Sequence, residues 1–338
     1  MRYKLLGRSG LRVSELCLGT MTFGDEWGWG AQKEESKRMF DLFAEAGGNF
    51  IDTANNYTNG TSEKFVGEFV KGDRDHFVIA TKYTLSERGT DPNFGGNHRK
   101  NMRRSVEGSL RRLDTDHIDL LWLHMWDGMT PVEEVMRALD DLVRDGKALY
   151  VGISDTPAWV VSQANTLADL RGWTSFVAYQ GDYSLASRAA ERDILPMTNA
   201  LEMSFLAWGL LEGGELTGKY NIPSEEPKRS NDTNQRIKNI AATLMALARD
   251  TGRTPSQIAL NWARQKPYRV IPILGARSEE QLQDNLGCLD FELTEEQMNY
   301  LHEASPIDLG FPHSFLASEH VRGLIFGKTF TQIMHQRG

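Results

Sequence analysis

A phenol, an ammonium, a carboxylate and an imidazole stand beside the ends of short apolar runs in this chain. Asp52 follows the run Asn49–Ile51, Tyr57 comes five residues later, Lys82 follows Phe77–Thr81, and His124 follows Ile118–Leu123. Brought together, these four groups suit one kind of chemistry. A phenol with an ordinary pKa of about 10 is a weak acid at neutral pH. A nearby ammonium favours the phenolate and lowers that pKa, so Lys82 would bring Tyr57 toward useful proton donation. Asp52 would hold Lys82 and balance its charge. His124 could donate a hydrogen bond to a carbonyl oxygen as that oxygen gains negative charge. The set fits proton delivery to, or removal from, an oxygen on carbon. No His/Cys/Asp/Glu cluster has metal-ligand spacing, so no metal is expected. No G-x-S-x-G elbow supports a serine hydrolase.

Positioning such a set requires elements that converge. Eight short β-rich runs occur: Glu15–Leu18, Asn49–Ile51, Phe77–Thr81, Ile118–Leu123, Ala148–Ile153, Ser175–Tyr179, Ser204–Ala207 and Val270–Leu274. Several are apolar on both faces, as parallel strands covered by helices must be. Helical spacing lies between them, as in Val132, Val135, Met136, Leu139 and Leu142, or Met102, Val106, Leu110 and Leu113. Capping-box patterns mark helix starts at Thr130–Glu133, Thr254–Gln257, Ser278–Gln281 and Thr294–Gln297, two of them with Pro at the first helical position.

Strands alternating with helices suit a closed barrel or an open doubly wound sheet. No G-x-G-x-x-G turn is present, and Gly214–Tyr220 is too short for a phosphate loop and lacks its Ser or Thr. The expectation is therefore a (β/α)8 barrel forming a single domain over residues 1–338. It would be preceded by an N-terminal β-hairpin and followed by a C-terminal extension, with the barrel at about 14–287 and a C-terminal helix and substrate-loop tail at about 294–338. In such a barrel chemistry gathers at the carboxyl ends of the strands. Those ends carry Gly19 and Thr20, Asp52, Lys82, His124, Ser154, Gln180, Trp208 and Gly275. The long polar stretch Gly209–Asn234 reads as a lid over a ligand. Trp27, Trp29 and Trp126 lie on loops at the same mouth and either line a substrate pocket or fill the core beneath a loop; Trp126, so close after His124, is the best placed. Phe311, Phe315, Leu324 and Phe326 suggest that the tail packs against the body.

Composition narrows the function classes. The 338 residues are 40% hydrophobic and 25% charged, with a net charge of −8. That balance argues against nucleic acid or an anionic membrane as a partner, since both need a basic face. Two cysteines, Cys17 and Cys288, form no motif, which suits a reducing cytoplasm. No stretch reads as a secretory signal or a membrane span. A small-molecule substrate remains, and a homo-oligomer is compatible with everything above.

The residues also match a family. Asn49–Tyr57 (NFIDTANNY) with Gly60–Glu63 (GTSE) resembles the aldo-keto reductase signature F-D-T-A-x-x-Y…G-x-S-E. Phe77–Lys82, Ile118–His124, Gly152–Ser154, Ala207–Leu211, Gly213–Tyr220 and Ile271–Asn285 look like its later motifs, in order, over roughly residues 1–305. The pattern is nearest to the branch that includes the potassium-channel β subunits. The resemblance implies an NADPH-dependent enzyme reducing aldehydes or ketones to alcohols. Tyr57 is the implied general acid, Lys82 and Asp52 its tuning pair, and His124 the group that orients the carbonyl. The implied NADP(H) contacts are Gly19, Thr20, Asp52, Ser154, Gln180, Trp208, Leu211, Gly213, Lys219, Gly275, Arg277, Gln281 and Asn285. Among these Ser154 and Gln180 would hold the carboxamide and Trp208 would stack on the nicotinamide. Lys219 would approach the pyrophosphate. Arg277, with free backbone N–H groups at a helix start, would grip the 2′-phosphate, which favours NADPH over NADH. Trp27 and Trp126 would line a pocket for a hydrophobic or ring-bearing carbonyl compound. The chain departs from the family pattern at Asp155, where Asn is common, and at Gly209–Leu211, where Ser-Pro-Leu is common. A different class of role, a cofactor-loaded regulatory subunit with little turnover, is the alternative the channel-associated branch suggests.

Overall fold

The computed structural model describes residues 1–221 and 234–333. A hairpin, β1 (Tyr3–Leu5) and β2 (Arg12–Ser14), precedes eight parallel strands: β3 (Cys17–Gly19), β4 (Phe50–Asp52), β5 (Val78–Tyr83), β6 (Ile118–Leu123), β7 (Ala148–Ser154), β8 (Ala178–Asp182), β9 (Ser204–Trp208) and β10 (Val270–Leu274). These eight close on one another in chain order, with β10 paired to β3, and helices cover the outside. The expected (β/α)8 barrel with its N-terminal hairpin is therefore the fold.

Side-chain alternation explains how the barrel builds its own mouth. Cys17, Phe50, Val78, Ala80, Leu120, Trp122, Ala178, Leu206 and Ile271 form the interior core, whereas Leu18, Ile51, Ile79, Leu121 and Ile153 pack outward under the helices. Continuing each inward parity by two residues gives Gly19, Asp52, Lys82, His124, Gln180 and Trp208. The site residues are thus the top layer of the interior. This also accounts for the one systematic difference from the sequence expectation. Several strands run further at their carboxyl ends than their apolar runs do, taking in Asp52, Lys82, Ser154, Gln180 and Trp208. Parallel pairing uses backbone groups alone, so Gly19 pairs with Asp52, Lys82 with Trp122 and Ser154 with Gln180 whatever their polarity.

The hairpin covers the opposite end. Leu6 is fully buried, the Gly7 backbone lies against the Val177 carbonyl so closely that no side chain would fit, and Lys4 donates to the Val270 carbonyl at 2.9 Å. Glu15 fastens this end to the helix Pro255–Arg264: its carboxylate accepts from Arg264 at 3.0 Å and from the Arg2 backbone N–H at 2.8 Å.

Three of the four expected hydroxyl caps form, at Thr254, Ser278 and Thr294. Thr130 does not cap. The Asp127 carboxylate takes its N–H and its hydroxyl, so the oxygen is used as a donor and the helix Val132–Arg144 begins after Pro131. At Ser278 the box is half made, because the Gln281 side chain accepts from the Arg277 N–H instead.

The tail behaves differently from the reading of its aromatics. Phe311 is 84% exposed, and Phe315 and Leu324 are exposed as well. Val321 is the residue of this segment that is buried, and polar contacts fasten its start: Arg188 donates to the Ser305 carbonyl at 2.6 Å and Arg192 to that of Asp308 at 2.8 Å. Residues 222–233 of the expected lid lie outside the described residues; Gly209–Asn221 are described and include a short 3-10 helix, Glu212–Thr217. Among the described residues, no helix is long and apolar enough to cross a membrane, and no metal-ligating cluster occurs.

Replacing Glu15 by Gln leaves the buried Arg264 guanidinium without its countercharge. The expected outcome is a loss of about 3 kcal/mol of stability, read as a lower urea midpoint with unchanged slope. An unchanged midpoint would show that the bottom of the barrel does not depend on this clamp.

Candidate active site

At the carboxyl ends of the strands lies a cleft of about 950 Å³. Its floor is an unbroken chain of polar contacts. The Lys82 ammonium, fully buried, donates to Asp52 Oδ2 at 2.5 Å, to the Thr53 carbonyl at 2.8 Å and to the Tyr57 hydroxyl oxygen at 3.1 Å. Gln180 Nε2 donates to the other Asp52 oxygen at 3.0 Å. Three strand ends, of β4, β5 and β8, therefore meet at one carboxylate and its ammonium, and β3 pairs Gly19 beside Asp52.

Tyr57 reaches this floor from a tight turn after β4. Thr58 and Asn59 adopt the left-handed backbone region, and Thr58 is pinned there by donating to the Phe23 carbonyl at 2.6 Å and accepting from the Ser62 N–H. The Gly60–Glu63 motif holds the turn in place. Ser62 donates to the Thr20 carbonyl, and the buried Glu63 carboxylate accepts from Thr81 of β5 and from Arg112. The phenol ring then stands with the Lys82 nitrogen 4.7 Å from its centroid, and the His124 and Trp27 rings edge-on at 6.1 and 6.3 Å.

Burial reverses one expectation about the phenol. It pushes the Tyr57 pKa above its ordinary value, and the Lys82 charge opposes that push without overcoming it. The reason is that the phenol is desolvated along with its neighbour, and Asp52 cancels much of the ammonium's effect at a distance. Tyr57 is therefore a protonated donor at neutral pH. Burial would release the Lys82 proton, but Asp52 and then Tyr57 outweigh it and the pKa is raised to about 12, so the ammonium persists. Burial, followed by the Lys82 charge, lowers His124 to about 3, making it a neutral imidazole. Its Nδ1 is buried without a protein partner.

Tyr57 and His124 line the cleft with Gly19, Thr20, Asp52, Ser154, Gln180, Trp208, Leu211, Gly213, Lys219, Gly275, Arg277, Gln281 and Asn285. Lys82 lies beneath Tyr57 and does not itself reach the cleft surface. Trp27 lines the cleft, but Trp126 does not. Trp126 is partly buried against the outer core, and Met125 takes the place at the wall. Nor, among the described residues, does Phe311 or any other tail residue line it. Arg277 is present without the free N–H groups expected around it. Its own N–H is taken by Gln281, that of Glu279 by Glu35 at 2.6 Å and that of Gln281 by Ser278. Any anion there would be held by the guanidinium side chain.

Sequence reasoning missed Met21, Leu85 and Met125, which supply apolar wall, and Asp182 and Glu212, which supply charge. Asp182 could have been found by counting two residues on from Gln180. The apolar residues lie on loops and carried no signal.

A closed parallel barrel whose interior ends in a carboxylate, ammonium and phenol in contact defines a class of oxidoreductase. The model of the aldo/keto reductase family matches residues 15–306, and the chain belongs to that family. It is 43% identical to a norsolorinic acid reductase of Emericella nidulans, covering 91% of this chain and 82% of that one. It is 40% identical to an aryl-alcohol dehydrogenase [NADP(+)] of Phanerodontia chrysosporium, over 90% and 86% of the two chains. A putative aryl-alcohol dehydrogenase of Saccharomyces cerevisiae is also 40% identical, over 94% and 90%. These names are those of reductases and alcohol dehydrogenases, rather than of the channel-associated branch that the pattern suggested.

The neutral imidazole gives a direct test. A histidine whose folded pKa lies far below its unfolded value of about 6.5 binds fewer protons when folded. Stability from this residue is thus complete above that value and declines as the pH falls below it. NMR titration should show the His124 ring unprotonated throughout pH 5–8; a midpoint near 6.5 would contradict the environment described.

Proposed function

We propose that this protein is an NADPH-dependent reductase of ring-bearing aldehydes or ketones, interconverting them with the alcohols. The observation that carries the reading is the contact chain Asp52–Lys82–Tyr57 on the floor of the cleft, with the neutral His124 ring beside the phenol.

The cleft's polar groups suit a nicotinamide dinucleotide. The Ser154 hydroxyl is buried in the cleft beside Gln180 and Trp208, where a carboxamide could take its hydrogen bond. Trp208 is 39% exposed at the end of β9 and lines the cleft, where its ring is available for stacking. Among the described residues, Lys219 and Arg277 are the cleft's cations available to phosphates. When bound, the reduced nicotinamide supplies the hydride.

The chain's own residues then manage the proton and the oxygen. A substrate carbonyl oxygen placed between Tyr57 and His124 receives hydrogen bonds from both, as a phenol and a neutral imidazole can each donate one. As that oxygen becomes an alkoxide, the Tyr57 hydroxyl gives up its proton, and the forming phenolate accepts from the Lys82 ammonium at the contact already in place. Lys82 keeps its own proton because Asp52 holds it. Asp52 is held in turn by Gln180. Trp27, Leu85, Met21 and Met125 provide apolar walls that exclude water and accept a flat ring. The aryl-alcohol and norsolorinic acid relatives support the same substrate class.

Tyr57→Phe removes the transferable proton and little else. It should lower kcat by about 10²–10⁴-fold on a panel of aromatic aldehydes while NADPH quenches the protein fluorescence at nearly the same concentrations. Equal losses in binding and turnover would sink the assigned role. Arg277→Ala should weaken NADPH binding about tenfold or more, as loss of a charge-assisted contact does, with NADH binding nearly unaffected. Parallel loss for both nucleotides would remove Arg277 as the discriminator.

A further inference from the structure

The cleft is richer in carboxylates than in cations. Among the described residues Asp52, Asp155, Asp182, Glu212 and Asp284 line it, against Lys219 and Arg277. Lys82 neutralises Asp52. The remaining four form no ion pair among the described residues. Asp182 accepts from the Ser187 hydroxyl and Glu212 from that of Ser184, neutral partners that leave the charge in place.

Asp155 is the most telling of the four. It follows Ser154 at the end of β7, on a left-handed backbone with φ of 42°, its N–H donating to the Gln180 carbonyl at 3.2 Å. It lines the cleft wall, where the side chains of Trp208 and Ser154 hydrogen-bond to its carboxylate. An Asn in this position would be neutral; an Asp is a switchable charge.

We propose that Asp155, supported by Asp182, makes the cleft distinguish the oxidised from the reduced nicotinamide by charge, favouring the cationic oxidised ring. This rests on the cofactor reading above. The two forms differ by one positive charge on the ring that Ser154, Gln180 and Trp208 are placed to hold. An uncompensated carboxylate in the same cleft attracts one form and not the other, and the partly enclosed setting strengthens the effect.

The groups facing Asp155 settle its titration. Burial raises its pKa to about 6, Asp182 adds to the rise, and Trp208, Lys82 and Ser154 oppose it. The phenols of Tyr57 and Tyr179 feel its charge in return. Asp155 is thus ionised above about pH 6 and neutral below. The 2′-phosphate titrates in the same range, but both nucleotide forms carry it, so it cancels in their ratio.

The test is the ratio Kd(NADP⁺)/Kd(NADPH), measured by fluorescence quenching of the full chain at pH 8 and pH 5.5, for the native protein and Asp155→Asn. Asn tolerates the left-handed backbone, so this variant keeps the local fold. At pH 8 the ratio should rise about tenfold in the variant. In the native protein it should rise as the pH drops to 5.5, and in the variant it should stay level. Should the variant fail to fold, the native pH profile decides alone. Binding of both nucleotides with a ratio that neither the substitution nor pH moves would overturn the charge role and leave the cofactor reading standing. Binding of neither would overturn both.

Discussion

The ion pair between Asp52 and Lys82 is the contact on which the site depends. Two unit charges are withdrawn from water at the top of a closed barrel, an arrangement that costs several kcal/mol unless each is fully satisfied. Here the satisfaction is complete: the ammonium has Asp52, the Thr53 carbonyl and the Tyr57 oxygen, while the carboxylate has Lys82 and Gln180. Because the partners come from β4, β5, β8 and the turn after β4, the pair can exist only when those strands are in register. The same closure that desolvates the pair makes it useful, since a buried ammonium cannot drift away from the phenol oxygen.

Desolvation sets the protonation state of the other groups too. The phenol is held in its acid form, the imidazole in its neutral form, and Asp155 near the middle of the physiological range. Desolvation acts with opposite effect on acids and bases, leaving a protonated phenol and a neutral imidazole beside a fixed cation. Among the described residues the carboxylates lining the cleft outnumber its cations. Aldo/keto reductase chemistry in this chain is accordingly a matter of placing ordinary side chains where water is scarce.

Much of this was legible in the residues. The eight apolar runs found the eight strands, and the hairpin, Thr254 cap and Thr294 cap lie where pattern put them. The polar residues at the run ends proved to lie on the inward parity of their strands. Other inferences failed for identifiable reasons. Thr130 has a capping pattern but an aspartate three residues earlier competes for its hydroxyl. Trp126 directs its ring into the outer core, leaving the wall to Met125. The tail's aromatics are exposed although its polar groups are docked, because a short apolar cluster carries no information about which surface it faces.

What the sequence by itself determined was the period: strands of alternating parity, each ending on a polar residue, can close into a barrel only by gathering those residues at one mouth. What the tertiary structure alone decided was the balance of charge and water around them. Whether Lys82 lowers the Tyr57 pKa or merely restrains its rise depends on how far both are buried and on where Asp52 sits. Whether Arg277 has free N–H groups beside it depends on Gln281 and on Glu35, which is remote in the chain. Such quantities depend on distance and dielectric surroundings, which residue order does not encode locally; they come into being when remote segments meet.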